Sequence, residues 1–329
     1  MIYTFIHITL EIRKKGVLAM GQFINYIRGE KQRLAYLQII ISSLIFGSYG
    51  LFVKILPYSP EVTVFFRFLF GTLILLVFAA VSGKVKDLKQ ASWKKMIVIG
   101  IINAFSWLSL TKSIVYTNVA TSYILYYTAP CFVVLLAPFY LKEPLEKKSL
   151  VALVLCFTGV LSVMGFHEVN LLGNSWKGNM LGLSSGMLFG LYLLGLKSLP
   201  GHCLGLVSSI YVCATITMVT FPMAVTSLHE VSLWGILVLM FLGLAIQGIA
   251  TTLYMVGYRS IKAQHASILS YLEALFATLL ATFFLHEHIS MNIVVGGLLI
   301  LIGGIVLTRV SKKDKGTEEI GTSRSLSGE

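Results

Sequence analysis

One acidic side chain lies near the middle of an apolar segment in the second half of this 329-residue chain. Glu273 shares a helical face with Ala266, Ser270 and Ala277, because these residues follow the spacing i, i+4, i+7 and i+11. That face is small and polar, as expected beside a water-filled path, and burial tunes a carboxyl group to take up and release a proton. Two interpretations stay open: a residue that binds a substrate or a proton, and a neutral, hydrogen-bonded Glu that ties helices together.

Two amide side chains lie in other apolar segments, 144 residues apart. Asn103 shares its helical face with Trp107, and Gln247 shares its face with Tyr254. Polar side chains inside a membrane usually face a cavity or a partner. These residues are therefore candidates to line a common cavity, and interhelical hydrogen bonding is an equally good interpretation of both amides.

A group of tyrosines follows helical spacing in the first half of the chain. Tyr123, Tyr126, Tyr127 and Pro130 fall on one face, and Tyr271 is the equivalent of Tyr127 in the second half. Rings that carry hydroxyls suit an organic ligand with apolar and polar parts, although tyrosine also populates the membrane interface. Pro130 removes a backbone hydrogen bond, so we expect a kink there.

A single arginine, Arg67, falls inside an apolar segment, about five residues from its end. It is a candidate to bind a substrate carboxylate. A side chain that snorkels to the surface, or that pairs with a helix end, is the alternative.

The sequence has no motif for zinc-dependent hydrolysis, metal binding or ATP hydrolysis. HExxH and Walker A patterns are absent, and none of the four cysteines has disulfide or metal-site spacing. The histidines that we considered lie at the ends of apolar segments or between them: His167, His202, His229, His286 and His288. We therefore predict that the chain is not an enzyme and needs no cofactor and no metal.

Long apolar segments position these side chains. Only 12% of the residues are charged and 56% are hydrophobic, whereas soluble domains carry roughly 25% charged residues. A membrane-spanning helix needs about 20 mainly apolar residues. Ten segments, numbered here as spans 1 to 10, have about this length: 34–53, 62–82, 96–112, 119–140, 149–166, 178–196, 204–225, 234–256, 264–285 and 291–309. The sequence predicts an all-α membrane protein of ten transmembrane helices.

The basic residues concentrate on one side of this arrangement. Of the 26 Lys and Arg residues, 22 fall in one alternate set of loops and termini, and three in the other. We call the rich side the basic face; it comprises both termini, loops 83–95 and 141–148, and the connections around Lys197 and Lys262. Cytoplasmic loops hold the excess of positive charge, so we predict that both termini are cytoplasmic. The net charge of +12 thus reflects topology and not nucleic-acid binding.

The two halves of the chain are related in sequence. Phe46, Gly47 and Tyr49 match Phe189, Gly190 and Tyr192 at an offset of 143, and the stretch 124–143 matches 268–287 at an offset of 144. Each half contains five spans, an odd number, so the second half must enter the membrane from the opposite side. Inverted repeats of this kind are typical of transporters.

These boundaries divide the chain into four parts. Residues 1–33 are predicted to form a cytoplasmic leader, because charges follow the apolar stretch instead of preceding it as in a secretory signal. Met20 is an alternative start. The repeats span 34–166 and 178–309, and the polar tail 310–329 is predicted to be disordered.

Three motifs resemble a known family. Residues 123–143, with the sequence YILYYTAPCFVVLLAPFYLKE, are similar to the fourth span of the EamA family in the drug/metabolite transporter superfamily. Residues 267–287 (SILSYLEALFATLLATFFLHE) and 65–76 (FFRFLFGTLILL) resemble its ninth and second spans. One departure is Ala274, where relatives often have Pro after the Glu. The resemblance covers about 34–309 and implies that spans 5 and 10 are peripheral.

The resemblance and the architecture together suggest a function. We expect a secondary transporter, favouring export, of small organic metabolites such as amino acids, with alternating access around a midplane cavity lined by spans 1, 3, 4, 6, 8 and 9. Protons are a candidate coupling partner. The expected surroundings are the inner (plasma) membrane and its lipid bilayer, with the chain as a monomer or homodimer. Two alternatives stay open: a membrane scaffold or sensor that transports nothing, and a nucleotide-sugar or drug-type transporter of the same superfamily.

Overall fold

The computed structural model describes most of the hydrophobic part of the chain. The described residues are 30–49, 52, 56, 58–90, 92–117, 119–164, 176–200, 205–225, 231–285 and 291–308. All regular secondary structure in these ranges is helical, as the composition predicts. The predicted leader and tail fall almost wholly outside the described residues, as do Glu287 and the five histidines considered above, so these predictions stay open.

Nine helical segments of the described residues are long and apolar enough to cross a membrane. Spans 2 to 7 are Pro60–Val81, Trp93–Tyr116, Val119–Tyr126 with Ala129–Tyr140, Lys147–Met164, Trp176–Lys197 and Leu206–Ala224. Spans 8 to 10 are Leu233–Leu242 continued by Gly243–Ala250 and Thr251–Ser260, then Ala263–Leu269 with Leu272–Leu285, and Met291–Thr308. A helix at 30–49 corresponds to span 1 but is not one of the nine. The count of ten and the orientation of the termini stay predictions.

Contacts between span ends define two opposite faces of the helix bundle. On the basic face, the Lys197 ammonium at the end of span 6 donates to the Tyr258 carbonyl near the end of span 8, at 2.7 Å. On the opposite face, the Ser162 hydroxyl at the end of span 5 donates to the Asn292 carbonyl at the start of span 10, at 2.9 Å. The ends of spans 6 and 8 therefore lie together, and so do the end of span 5 and the start of span 10, as the predicted alternation requires.

Spans 5 and 10 pack closely through glycines. A Cβ atom at Gly159 would lie 2.6 Å from the Gly296 carbonyl oxygen, and one at Gly296 would collide similarly with Gly159. Small residues allow membrane helices to approach until their backbones touch. The Cys156 thiol also contacts the Ile300 carbonyl, at 3.6 Å. These two spans therefore form a tight pair.

Spans 4 and 9 are both interrupted near their middle. Two-residue turns lie at Tyr127–Thr128 and Ser270–Tyr271, at equivalent positions of the two repeats. Pro130 explains the first break, because it has no N–H to offer the helix. The second break has no proline; it forms by short i to i+3 bonds such as Glu273 N–H to the Ser270 carbonyl, at 3.0 Å. Span 9 is thus broken although Ala274 replaces the family's proline.

The two breaks meet across the repeat boundary. The Tyr271 hydroxyl donates a hydrogen bond of 2.8 Å to the Tyr127 carbonyl, which the turn in span 4 leaves free. An unpaired backbone carbonyl in the hydrophobic interior is costly, so this bond stabilises both breaks at once.

Span 8 contains an eight-residue π-helix, Gly243–Ala250. The equivalent residues of span 3, at an offset of 144, lie within the continuous α-helix Trp93–Tyr116. The π-helix packs on span 2, where a side chain at Gly71 would collide with the Gln247 stem. Short π-helical segments are rare and occur frequently at functional sites.

Candidate functional site

A connected set of aromatic rings fills the centre of the bundle, between the broken spans 4 and 9. We call it the aromatic cluster; its members are Tyr49, Phe68, Trp107, Tyr123, Tyr126, Tyr127, Phe189 and Tyr271. Trp107 lies 6.2 Å from Tyr126 between ring centroids, and Tyr127 lies 6.1 Å from Tyr271. The ring of Phe189 packs against Tyr126 at 4.9 Å. Residues from both repeats therefore meet at one place.

Arg67 inserts its guanidinium among three of these rings. The central carbon lies 4.1 Å from the Tyr49 ring centroid, 4.6 Å from Trp107 and 4.8 Å from Phe68. The residue is only 2% exposed, so it does not snorkel to the surface. Cation–π contacts stabilise a desolvated guanidinium by roughly 2 kcal/mol each at most, but they leave its N–H groups without hydrogen-bond acceptors.

One edge of the Arg67 guanidinium is unpartnered. Within the part of the chain that the structure describes, Nε and Nη2 are both buried and find no oxygen that accepts a hydrogen bond from them. These two nitrogens form the side-on edge of the guanidinium, which matches the two oxygens of a carboxylate. Burying a charged group without hydrogen bonds is expensive, so this edge favours an anionic ligand.

The Glu273 carboxyl group lies near the same cluster. Its carboxyl lies within electrostatic range of Arg67 and of the Tyr126, Tyr127 and Tyr254 hydroxyls. Gly47 of span 1 packs directly on the Glu273 backbone, where a Cβ atom would lie 2.9 Å from the Glu273 carbonyl oxygen. Among the described residues, no ion pair joins Glu273 to Arg67. The carboxyl group and the guanidinium therefore both lie near the aromatic cluster, and the described residues show no direct contact between them.

The two amides have different environments although their positions are equivalent. The Gln247 amide oxygen accepts a 2.7 Å hydrogen bond from the Thr251 hydroxyl, and its stem lies against Gly71. Asn103 is 4% exposed, and its amide oxygen has no partner in the described residues. Asn103 thus keeps a free acceptor, whereas Gln247 is engaged within its own helix and against span 2.

Two further candidates lie on spans 8 and 9. The Tyr254 hydroxyl is buried and unpartnered in the described ranges, and its ring lies 6.2 Å from Phe46. The Ser270 hydroxyl donates to the Ser267 carbonyl at 2.6 Å, within its own helix. Tyr254 therefore retains a donor for a ligand, while Ser270 takes part in the break of span 9.

The chain matches a known family over nearly all of these elements. The model of the EamA-like transporter family matches residues 33–165 and 176–309, which together contain every candidate residue named above. The chain belongs to the EamA-like transporter family.

Relatives of this EamA-like chain carry transporter names. A protein of Clostridium kluyveri named "Uncharacterized transporter" is 23% identical over 88% of this chain and 98% of its own length. "Uncharacterized transporter YetK" of Bacillus subtilis is 25% identical over 91% and 96%. A solved crystal structure superposes with a TM-score of 0.73 at 17% identity, covering 83% of this chain and 97% of that one, and so shares the fold. The chain is accordingly a multi-pass membrane transporter of the drug/metabolite type.

The sequence of this EamA-like transporter did not point to every residue at its centre. Tyr49 and Phe189 contact the site, but the sequence identified them only as members of the repeat. The repeat is the sequence signal that could have identified them. Tyr49 matches Tyr192, and Phe189 matches Phe46, so each is an aromatic residue present in both halves. In the described residues, no group of three or more His, Cys, Asp and Glu could hold a metal ion.

Proposed function

We propose that this transporter exports small zwitterionic metabolites, such as amino acids, by alternating access around the aromatic cluster. The basic face would be cytoplasmic and the host membrane the plasma membrane, as the distribution of Lys and Arg predicts. The function is non-enzymatic transport, without a cofactor.

The unpartnered edge of Arg67 is the observation that carries this proposal. A buried guanidinium whose Nε and Nη2 lack acceptors has strong affinity for a carboxylate that can bind both at once. The rings of Tyr49 and Trp107 exclude water from the guanidinium and so strengthen that interaction. An arginine in this setting selects ligands by the geometry of the acid group, which a lysine would not do.

Glu273 supplies the second pole of a zwitterion site. A carboxylate within range of Arg67, yet outside direct contact, leaves room for a ligand whose two charges lie a few bonds apart. The α-carboxylate would bind Arg67, the ammonium group would lie toward Glu273, and the apolar side chain would contact Trp107 and Tyr126. A proton on Glu273 could replace the ammonium group after release, which would couple export to proton entry.

Purified protein in liposomes tests this function directly. The assay measures accumulation of labelled amino acids under an imposed pH gradient, with competition by two analogues of each substrate: the amide, which lacks the carboxylate, and the N-acetyl derivative, which lacks the ammonium group. We expect saturable transport that the free amino acid inhibits and that both analogues inhibit at least about tenfold less well, because each loses one charged contact.

Other outcomes would identify the alternatives. Transport inhibited equally by the amino acid and its amide would contradict the Arg67 assignment. Saturable transport of nucleotide sugars or lipophilic cations alone would favour the other superfamily classes. If no compound moves and no gradient has an effect, a scaffold or sensor is the better description.

A further inference from the structure

The two repeats are bonded to each other at the basic face through a small polar assembly. The Glu143 carboxylate accepts the Ala263 backbone N–H, with oxygens at 3.1 and 3.3 Å, and Gln264 Nε2 donates to the Pro144 carbonyl at 3.1 Å. Glu143 and Pro144 lie in the loop after span 4, and Ala263 and Gln264 lie at the start of span 9. We call loop 142–146 together with residues 262–265 the latch.

Glu146 lies at the centre of the latch. Its carboxylate binds the Lys262 ammonium, and its Oε2 lies 3.0 Å from His265 Nε2 and 3.1 Å from Lys148 Nζ. The other ring nitrogen of His265, Nδ1, lies 2.6 Å from the Tyr36 hydroxyl, which brings span 1 into the assembly. The hydrogen bond with His265, followed by those with Lys262 and Lys148, holds the pKa of Glu146 well below its usual range.

The latch is more than a surface ion pair. The side chains of His265 and Glu146 are 7% and 17% exposed, whereas those of Arg33 and Glu30, which form an ion pair on the same face, are 83% and 55% exposed. Exposed pairs contribute little to stability. Removing one partner of a buried pair is strongly destabilising, because it leaves the other charge uncompensated.

The latch is absent, by sequence, from the opposite face. At the offset of 144, the residues equivalent to Lys262, His265, Glu146 and Lys148 are Asn118, Thr121, Ser290 and Asn292. None of these four carries a charge or titrates near neutral pH. Glu143 does have an equivalent in sequence, Glu287, so this glutamate belongs to the repeat, whereas the charged residues around Glu146 occur in one half alone.

A break separates the segment that the latch holds from the rest of span 9. Ala263–Leu269 is a short helix whose residues are all buried, and the break at Ser270–Tyr271 separates it from Leu272–Leu285. A rigid segment with a break at one end and a polar contact at the other is a structure that can hinge. Swinging it away from loop 142–146 would open a path along spans 4 and 9 from the basic face toward the aromatic cluster.

We propose that the latch is the gate on the basic face, and that loop 142–146 must separate from residues 262–265 before the central site opens to that side. The added charges bias the resting protein toward the state closed on the basic face and open to the other. This inference rests on the proposed function, since it assumes that the centre is exposed to each face in turn.

Cysteine labelling measures the gate without any substrate. The inner reporter is Ser267→Cys, one turn inside the latch and fully buried, and the outer reporter is its repeat equivalent Tyr123→Cys, near the opposite face. Both are placed in a background in which the four native cysteines are replaced by Ser. A membrane-impermeant maleimide is added to sealed vesicles of each orientation, and labelling rates are compared for three chains: the parent, Glu146→Gln, and the matched control Glu30→Gln.

The gate makes a two-sided prediction. Glu146→Gln should raise the labelling rate of the inner reporter from the basic face by about tenfold or more, because it removes the negative charge that Lys262, His265 and Lys148 share and so weakens the contact between the loop and span 9. It should lower the labelling rate of the outer reporter from the opposite face, while Glu30→Gln changes neither rate. Unchanged rates in Glu146→Gln would overturn the proposal, and so would a rise at both reporters, since that indicates a loosened bundle instead of a gate.

Two further arrangements keep the test decisive. If Glu146→Gln does not elute as a monodisperse protein, Lys262→Gln replaces it, because the Lys262 side chain is 39% exposed and its loss should be tolerated. A labelling response of the predicted form together with a failure to transport any metabolite would remove the proposed substrate class and leave the gate standing. Transport of an amino acid together with unchanged labelling rates would contradict the gate and leave the proposed substrate class in place.

Discussion

Repeat 1 supplies Arg67 to the proposed central site, and repeat 2 supplies Glu273. At either offset, the position equivalent to Arg67 holds an uncharged residue, Ile210 or Tyr211, and the position equivalent to Glu273 is Ala129. The scaffold around them is matched: both broken spans turn at equivalent positions, and Tyr127 and Tyr271 meet there. The repeats therefore share the broken helices and differ in the charged residues that we propose bind the ligand.

Under the proposed function, this difference would allow a transporter built from two related halves to bind an asymmetric ligand. Two equal half-sites would present the same charge twice and would suit a ligand with two identical ends. One charge from each half gives the site a direction, so a zwitterion can bind in only one orientation. The following predictions test that division between binding and scaffold.

The largest effect is expected from Arg67→Lys. This change keeps the positive charge and removes the edge formed by Nε and Nη2, so the apparent KM for an amino acid should rise about 10- to 100-fold, since hydrogen bonds to charged groups contribute roughly 1.5–3 kcal/mol. The KM for its amide should hardly change. Transport assays in liposomes measure both, with Lys177→Arg at an exposed site as the control. Equal changes for acid and amide would make Arg67 a structural residue.

A smaller effect is expected from Glu273→Gln, which keeps the shape of the side chain and removes its proton. One-for-one exchange gives about tenfold accumulation per unit of pH gradient, because one pH unit corresponds to about 1.4 kcal/mol. The variant should lose that stimulation and keep downhill flow. Glu61→Gln, in the first turn of span 2, is the matched control. A variant with the wild-type rate and pH profile would show that Glu273 does not couple transport to protons.

The scaffold should respond in stability and not in ligand binding. Gly159→Ala places a methyl group against the Gly296 carbonyl, so it should lower the free energy of unfolding by about 1–3 kcal/mol and leave the KM unchanged. Gly304→Ala is the control, because its methyl group would meet only Leu269 Cδ2, at 3.8 Å. Thermal unfolding in detergent compares the two. A change in KM without a loss of stability would show that spans 5 and 10 affect the site.

The smallest effect is expected where the two breaks meet. Tyr271→Phe removes the hydrogen bond to the Tyr127 carbonyl and should cost about 1 kcal/mol of stability. Tyr254→Phe removes a buried hydroxyl that has no partner among the described residues, so it should be neutral or slightly stabilising in the ligand-free protein. The same unfolding assay ranks both variants, and a loss of stability in Tyr254→Phe alone would reverse our interpretation of these hydroxyls.

Hydropathy and repeats predicted the framework because both depend on long segments. The length of an apolar run places spans 2 to 10, and Pro130 marks the break in span 4. The break in span 9 has no such marker, because it depends on short backbone bonds and on a hydroxyl from Tyr271 that reaches a distant carbonyl. A contact between residues 144 positions apart leaves no trace in local pattern.

Charges were harder to place than helices. The sequence left binding, snorkelling and helix-end pairing open for Arg67, because these differ in the direction of one side chain and not in hydropathy. His265 was passed over entirely, although its equivalent Thr121 shows that the two halves diverge at this position. Comparing the repeats for differences, and not only for matches, would have found it.

The π-helix of span 8 gives the second repeat a widely wound segment that the equivalent span of the first repeat lacks. Gly243–Ala250 is wound more widely than an α-helix, with the Thr251 N–H reaching back five residues to the Ile246 carbonyl. Tightening this segment into an α-helix would turn everything after it by roughly one residue, about 100°. Tyr254 and Tyr258 would then rotate away from their present neighbours, Phe46 and the Leu193 carbonyl.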